Sequence, residues 1–508
     1  MTRVNQSWAN ILISCLAMFM LSGCASDSKE GISAQKSDDV KLIDGLEYSV
    51  LIKWGDQISE NHYFGFGSSH VEFIQGEDGS DPQLWVSHEL VNPLFVSGYS
   101  FSYDVSRERD QIRKELYQVG GTILKLDKSF SSWKYLEDPK NIRVTGAQTF
   151  PFEWHEPIRN RTSSFGTVAN TNGGMTPWGT ILSSEGNFKH YYGDRDYDTK
   201  KYDKSNLMWE TFLSKPTEHF GWVVEIDPVS RQMKKQIGLG RFAHGAATAV
   251  GLPDGRVVIY TGDTRPGGML YKYISDTPNR IYPGQLYVAN MKNKVWRPID
   301  HADEQLNKEF EDETAMMINV PAAAKMVGGT PVESPHGIAK DPNTGGLFIA
   351  LNGNDSYGEI IRLQENNDDY SAMSFDYETY IACGTEADMA NPSLLRFDSY
   401  GNLWVGTDMP LESANTDTYL SFGNNGLYVV PAGTSDPIRV ATAPMEASFS
   451  GISFDPEFEN LFVSVNHPGA QSMRGVFTSN WPEGEDNVPK PSVILIQGDF
   501  LNELKNID

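Results

Sequence analysis

Short apolar segments alternate with turn-forming residues along most of the chain, a pattern that predicts many short β-strands. Most of these segments are bounded by Gly, Pro, Asn or Asp, which interrupt strands and form turns. The clearest segments are residues 83–87, 121–126, 180–183, 221–227, 256–260 and 284–288. The pattern therefore favours an all-β protein with tight connections.

A repeated phrase suggests how the strands are arranged. Asp341, Asp398 and Asp455 are separated by 57 residues and then by 57 again. Each Asp follows one apolar segment and precedes another, as expected for a β-hairpin whose turn is stabilised by the Asp side chain. Hairpins that recur at such a period indicate an array of similar sheets, and a β-propeller is a common closed form. We predict one propeller over residues 46–508, with about six blades.

Two segments depart from the strand pattern. Residues 104–117 place Ile112 and Leu116 four positions apart among charged residues, which predicts an amphipathic helix. Residues 301–326 form a second, weaker helical stretch. Both are interpreted as short helical insertions in the β scaffold.

The N-terminus has the features of a secretory signal. Residues 11–21 are apolar but too short to span a bilayer as a mature helix. The junction Leu21-Ser-Gly-Cys24 is similar to a bacterial lipobox, so we expect a signal peptide at 1–23 and lipidation of Cys24. Residues 24–45 are then expected to be a flexible tether. The expected location is extracytoplasmic, on the outer membrane; an ordinary signal peptide is the alternative.

Composition narrows the choice of partners. The formal charge is −25, and the chain has no long run of Lys or Arg, so nucleic acid is not an expected partner. With Cys15 and Cys24 in the signal region, Cys383 is the only cysteine of the body, and no internal disulfide is expected. We expect a monomer stabilised by its core and by bound cations.

The candidate chemistry lies in two segments. The first, at 166–188, is rich in Gly, Asn and Thr, and it places Glu185 after a short strand. The second places His244, Asp263 and Arg265 at predicted strand ends. Carboxylate oxygens bind hard cations such as calcium, and an Arg side chain can hold a phosphate group. We predict Glu185, Asp263, His244 and Arg265 as catalytic residues.

These segments resemble the PhoX family of secreted alkaline phosphatases. The motif Gly166-Thr-Val-Ala-Asn-Thr-Asn-Gly-Gly-Met-Thr-Pro-Trp-Gly-Thr180 corresponds to a family motif that has Cys where this chain has Thr171. Other matches are His88-Glu89 and the segments 221–228, 257–263, 270–275 and 461–469, so the resemblance covers roughly residues 60–470. It implies a six-bladed propeller, an axial iron–calcium cluster and hydrolysis of phosphate monoesters.

The chain departs from the family at several implied ligands. Besides Thr171, it has Gly245 in place of an expected Glu, and Ser448 lies near the position of another. One member of an acidic pair is kept as Glu185, while its partner position is Gly186 or Ser184. The predicted metal ligands are Glu185, Asp263, Thr171 and His336. Without the thiolate, calcium is favoured over iron.

The sequence thus predicts an extracytoplasmic, metal-dependent phosphatase that acts on a small phosphate ester. Two alternatives stay open. One is a binding propeller that has lost its metal ligands and its catalysis. The other is a calcium-dependent hydrolase similar to lactonases, because hairpins of this kind recur in such propellers.

Overall fold

The structure, a computed structural model, describes residues 31–505 except 77–78, 102–105, 131, 354–355 and 415. The predicted signal peptide and the predicted lipidation site at Cys24 lie outside the described residues. From Gly31 onward the chain forms one compact unit. Six principal β-sheets follow one another along the chain as the six blades of a propeller, which confirms the predicted fold class.

The strands follow the blades in chain order. Four strands precede the first blade: β1 (Lys41–Leu42), β2 (Glu47–Lys53), β3 (Gln57–Ser59) and β4 (His62–Tyr63). Blade 1 contains β5 (Ser68–Ile74), β6 (Gln83–His88), β7 (Gly120–Ser129), β8 (Ser132–Tyr135) and β9 (Ile142–Val144). The first four strands of blade 2 are β10 (Thr149–Glu153), β11 (Ser163–Phe165), β12 (Asn170–Met175) and β13 (Ile181–Glu185). After β13, a separate hairpin contains β14 (Asp194–Arg195) and β15 (Tyr202–Asp203), and blade 2 is completed by β16 (Val223–Ile226) and β17 (Met233–Gln236).

The second half of the propeller is more regular. Blade 3 contains β18 (His244–Gly251), β19 (Val257–Asp263), β20 (Leu270–Ser275), β21 (Gly284–Asn290) and β22 (Val295–Pro298). Blade 4 contains β23 (Pro335–Lys340), β24 (Leu347–Leu351), β25 (Glu359–Glu365) and β26 (Phe375–Ala382). Blade 5 contains β27 (Pro392–Phe397), β28 (Leu403–Thr407), β29 (Gly426–Val430) and β30 (Ile438–Thr442). Blade 6 contains β31 (Ser448–Phe454), β32 (Asn460–Asn466) and β33 (Ser492–Gln497).

The predicted Asp-centred hairpins are the first two strands of blades 4, 5 and 6. In blade 5, Asp398 accepts hydrogen bonds from the backbone N–H of Tyr400 and Asn402 and from the indole of Trp404. In blade 6, Asp455 likewise accepts hydrogen bonds from the backbone N–H groups of Glu459 and Asn460. The side chain thus satisfies turn amides that the strand ladder leaves unpaired, which is why Asp recurs there.

The N-terminal strands close the ring. Strand β2 pairs with β33 in blade 6, and β1 pairs with β30 in blade 5. Residues 31–45, which we had predicted as part of a tether, therefore belong to the folded body. Ile32 N–H donates to Arg439 O, and Val40 is buried in the apolar core beside blade 5. The polar composition of this segment predicted flexibility, but its buried apolar side chains and its strand pairing hold it against the folded body.

Helices lie in the connections between strands, as predicted. They are α1 (Pro93–Val96), α2 (Arg109–Gln118), α3 (Lys189–Tyr192), α4 (Glu304–Glu309), α5 (Glu313–Ile318), α6 (Val320–Met326) and α7 (Asp499–Leu504). Helix α2 buries Ile112 and Leu116, the pair that predicted it. Helices α4, α5 and α6 occupy the predicted stretch 301–326 and pack on the core of blades 2 and 3. Within the described residues, no helix is both long and apolar enough to cross a membrane.

Candidate active site

Every blade presents two strand ends at the same end of the propeller axis. In each blade, the first residue of the inner strand, the one nearest the axis, pairs with the last residue of the second strand. Examples are the pairs Ser68–His88, Pro392–Thr407 and Ser448–Asn466. The register shifts within the first three residues of each inner strand, directly after the first pair in blades 1 and 5 and after Phe449 in blade 6. Residues just beyond the second strands therefore gather around the axis. We call this end the axial mouth; its chemically important side chains are Glu89, Thr171, His336, Asp408, Ser448, Asn466 and His467.

Two carboxylates and an imidazole meet at the axial mouth from blades 1, 5 and 6. His467 Nε2 lies 3.8 Å from Asp408 Oδ1 and 3.2 Å from Ser448 Oγ. Asn466 Nδ2 donates to Glu89 Oε2 at 3.3 Å. No Lys or Arg pairs with either carboxylate within the described residues, and the Asp408 side chain is 43% exposed.

The charges of these groups act on one another. Burial, together with the charge of Asp408, raises the pKa of Glu89 to about 7. For His467, burial acts in the opposite direction, but the hydrogen bond and charge of Asp408 and the charge of Glu89 raise its pKa above the ordinary value. His467 also has a backbone φ of 40°, a left-handed conformation that is uncommon for a residue with a side chain. Strain of this kind is concentrated at functional sites.

Thr171 and His336, both predicted as metal ligands, also lie at the axial mouth. Ser69 Oγ donates to the backbone carbonyl of Thr171 at 2.5 Å. Burial lowers the pKa of His336, so its imidazole is neutral near pH 7. The structure therefore brings these two residues to the same mouth as Glu89 and Asp408.

Glycine occupies position 245 and position 186, the latter one of the two candidates for the lost acidic partner of Glu185, and the space around both is filled. A Cβ atom on Gly186 would lie 2.7 Å from Thr171 Cγ2. A Cβ atom on Gly245 would lie 2.5 Å from the carbonyl oxygen of His336. A side-chain methyl group blocks the first position and backbone blocks the second, so a longer side chain does not fit at either without a rearrangement.

Glu185 is placed differently from the sequence expectation. Its side chain is completely buried, and Lys235 Nζ donates to its Oε1 at 2.7 Å. The backbone N–H groups of Gly221 and Trp222 donate to Oε2 at 2.9 and 3.0 Å. The carboxylate thus already has a cation and hydrogen-bond donors, and metal ligation by Glu185 would require Lys235 to leave.

Asp263 and Arg265 lie together in a separate cavity of about 350 Å³, on the blade 3 side of the mouth. Arg265 donates through Nε and Nη2 to the two oxygens of Asp263, at 2.8 and 2.5 Å. Glu185 does not line this cavity. The structure therefore does not bring Glu185 and Asp263, the two central predicted ligands, into one cavity.

His244, the fourth predicted catalytic residue, is buried behind that cavity. Its Nε2 lies 2.9 Å from Gly240 O, and its Nδ1 lies 3.0 Å from Thr261 Oγ1. Phe242 covers the ring, with centroids 3.8 Å apart, and burial lowers the pKa of His244 to about 3. Both ring nitrogens are occupied, which is typical of a structural histidine.

The donors at the axial mouth can be compared with the metals that the resemblance implies. Among the described residues, no three His, Cys, Asp or Glu side chains form a metal-binding group, and the thiolate expected at 171 is a threonine. The available donors are oxygens from Glu89, Asp408 and Thr171. Asn466 adds an Oδ1 that is buried without a hydrogen-bond partner. Such a set fits a hard cation such as calcium and does not fit thiolate-bound iron.

Sequence reasoning did not select Glu89, Asp408 or His467 as site residues. The three are 319 and 59 residues apart in the chain, so no local motif contains them. A signal was nevertheless present, because each residue directly follows the second strand of its blade. Those positions are where a propeller exposes side chains to its axis.

Comparison with known protein families identifies the family to which the chain is similar. Residues 28–469 match the family model described as alkaline phosphatase PhoX. A comparison with curated proteins finds no sequence match.

Similar solved structures match the chain to very different degrees. A similar structure, PhoX of Pseudomonas fluorescens in complex with vanadate, a transition state analogue, shares 23% identity with a TM-score of 0.82. That match covers 93% of this chain and 98% of the other. A gluconolactonase from Xanthomonas campestris is 11% identical with a TM-score of 0.36, covering 93% of this chain and 99% of the other. A protein of unknown function from Dyadobacter fermentans is 8% identical with a TM-score of 0.43, covering 90% and 100%.

Proposed function

The chain belongs to the alkaline phosphatase PhoX family, and on that premise we propose that it hydrolyses phosphate monoesters at the axial mouth, outside the cytoplasm. The phosphatase function follows from the family. The position of the site, the cation and the location of the protein are our proposals. The observation that carries the site is the convergence of Glu89, Asp408 and His467 from three blades.

The proposed cation ligands are the oxygens of Glu89 and Asp408, with Asn466 Oδ1 and Thr171 beside them. Glu89 and Asp408 have no Lys or Arg partner among the described residues, and the pKa of Glu89 is raised by its burial and by the charge of Asp408. A bound divalent cation would relieve that repulsion and neutralise charge on the phosphoryl oxygens.

The two histidines of the mouth suit opposite proton transfers. Burial keeps the His336 imidazole neutral near pH 7, so we assign it to accept a proton from the attacking water. Asp408 and Glu89 raise the pKa of His467 and so favour its protonated form, and we assign its Nε2 to donate a proton to the leaving alcohol oxygen. The water oxygen forms a bond to phosphorus, the ester P–O bond breaks, and alcohol and phosphate are released.

The test is turnover of p-nitrophenyl phosphate by the purified full-length protein, before and after chelation and after calcium is added back. We expect hydrolysis to be lost on chelation and restored by calcium, with the bound metal identified by elemental analysis. Activity that survives complete removal of the metal would contradict the proposed cation.

A binding propeller without catalysis is the second candidate. It is favoured by the filled space at Gly186 and Gly245 and by the pairing of Glu185 with Lys235. Binding of inorganic phosphate in calorimetry, with no turnover under any metal condition, would support this candidate. The lactonase alternative stays a prediction, because the structural likeness to gluconolactonases is too weak to support it; lactone hydrolysis can be assayed beside the phosphate ester.

The extracytoplasmic location rests on the sequence before the folded body. We propose that Cys24 is lipidated and anchors the protein, most simply to the outer membrane. Metabolic labelling with a radioactive fatty acid should mark the wild-type protein and leave Cys24→Ala unlabelled. Cys383→Ala is the matched control, since Cys383 lies in the folded body and should not affect labelling. Equal labelling of wild type and Cys24→Ala would contradict the anchor.

A further inference from the structure

An apolar cavity of about 350 Å³ shares a wall with the axial mouth. The shared element is His467, which faces Asp408 and Ser448 on one side and lines this cavity on the other. Leu90, the residue after Glu89, also lines it. A molecule whose phosphate occupied the mouth would therefore have this cavity beside its leaving oxygen.

The cavity wall is mainly apolar, with the His467 imidazole on the side of the mouth. The side chains that form it include Phe66, Leu94, Tyr99, Phe101, Leu207 and Met473. No Asp, Glu, Lys or Arg of the described residues lines it. His190 lies in the wall, but burial lowers its pKa to about 4, so it is uncharged near pH 7.

The cavity beside Asp263 provides a contrast. It has a similar volume but is lined by charged side chains, among them Lys189, Arg241 and Lys325. Those groups would suit a polar or ionic molecule. The cavity beside His467 has no such charged groups and only a few polar side chains, among them Asn92, Ser100 and Ser472, so much of a sugar or a nucleotide would lose hydration there without gaining partners.

One wall of the apolar cavity is held in place by its own contacts. Helix α1 begins at Pro93, and the Asn92 side chain caps it by accepting from Leu94 N–H at 3.0 Å. The helix is tied to α2 because Ser97 Oγ donates to Glu115 Oε1 at 2.6 Å. A wall fixed in this way presents a preformed surface, as small-molecule sites usually do.

We infer that this cavity receives the alcohol portion of the substrate, so that the preferred substrates are phosphate monoesters of aromatic or branched apolar alcohols. This inference rests on the proposed function, because it places the phosphate of the same molecule at the axial mouth. A volume near 350 Å³ is at the small end of ligand sites, which suits one or two fused rings.

The test compares kcat/KM for 1-naphthyl phosphate and for glycerol 2-phosphate. We expect the wild-type protein to prefer the naphthyl ester by at least about tenfold, the discrimination that a few apolar contacts provide. The double variant Leu94→Ser/Met473→Ser should lose most of that preference, because kcat/KM for the naphthyl ester should fall more than kcat/KM for glycerol 2-phosphate. If the double variant does not fold, Met473→Ser alone can be tested in its place. The Met473 side chain is 58% exposed, so its removal should not affect folding.

The matched control is Leu420→Ser, which removes a partly exposed leucine outside the cavity and should leave the preference unchanged. A wild-type preference near one, or a preference that survives both cavity variants, would overturn the inference. If neither ester is hydrolysed, the proposed function fails instead, and binding of 1-naphthol in calorimetry tests the cavity directly. Binding that the cavity variants weaken about tenfold would then support an apolar alcohol site, whereas absent or unaltered binding would overturn it.

Discussion

At the scale of single residues, the contacts of Glu185 give it a structural role. Removing one partner of a buried ion pair leaves the other charge uncompensated, at a cost of about 3–5 kcal/mol. We therefore expect Glu185→Gln to lower the thermal unfolding temperature clearly, because Lys235 would keep its charge inside the core. Calorimetric unfolding of the variant measures this effect.

Two further variants separate this role from metal ligation. The double variant Glu185→Gln/Lys235→Met removes both charges and should recover much of the lost stability. Glu457→Gln, at an exposed carboxylate in a turn of blade 6, controls for the loss of one negative charge. An unfolding temperature of Glu185→Gln equal to that of the wild type, together with loss of bound metal, would show instead that Glu185 is a ligand.

The same residues show why the site was harder to predict than the fold. The segment that carries Glu185 matches a family motif, but its partner Lys235 lies 50 residues further on and on a different strand. Nothing local to Glu185 indicates that a lysine will neutralise it. Ligation by Glu185 and Asp263 stays a prediction, but each carboxylate already has a cationic partner in the structure.

At the scale of elements, the strands and hairpins were accessible from the sequence because their causes are local. An Asp that caps a turn and the apolar runs beside it lie within about fifteen residues, so the hairpins at Asp341, Asp398 and Asp455 could be read directly. The closure of the ring was not accessible in this way. Strand β1 pairs with β30, some 400 residues away, and its polar neighbours resemble a tether.

This closure leads to a prediction about truncation. Removing residues 25–45 should lower the unfolding temperature, because it deletes β1 and exposes the apolar surface that Val40 and Ile43 cover in blade 5. Removing only residues 25–30 is the matched control and should leave the unfolding temperature unchanged. Equal stability of the two truncated proteins would mean that residues 31–45 behave as the tether first predicted.

At the scale of the whole molecule, buried histidines link stability to pH. Burial lowers the pKa of four histidines. The pKa falls to about 4 for His190 and His219 and to about 3 for His244, and it is also well below the ordinary value for His88. In the unfolded chain these groups titrate near 6.5. Between about pH 6.5 and pH 4, the unfolded state therefore binds more protons than the folded state. Their contribution to the free energy of unfolding, which is fully present above about pH 6.5, decreases as the pH falls towards 4.

We expect the free energy of unfolding to decrease from pH 7 to pH 4, measured by chemical denaturation at constant ionic strength. His244→Gln should flatten this dependence by up to about 1.4 kcal/mol per pH unit, the contribution of one proton. His62→Gln, at an exposed histidine, should leave the slope unchanged. A slope that His244→Gln does not alter would show that His244 is not held neutral by the fold.

The propeller as a whole explains how distant residues form one site. Glu89, Asp408 and His467 come from blades 1, 5 and 6, and each follows the second strand of its blade. No pair of them shares a sequence motif, so their meeting depends on ring closure. The central claim is therefore that catalysis takes place where these three residues meet.

The most direct measurement is kcat/KM for p-nitrophenyl phosphate in His467→Asn. Asparagine tolerates the left-handed backbone at this position, so the change removes the imidazole while keeping the turn. We predict a loss of at least about 100-fold with an unchanged unfolding temperature, whereas His62→Asn should match the wild type. A folded His467→Asn protein with kcat/KM within about threefold of the wild type would contradict an active site at the axial mouth.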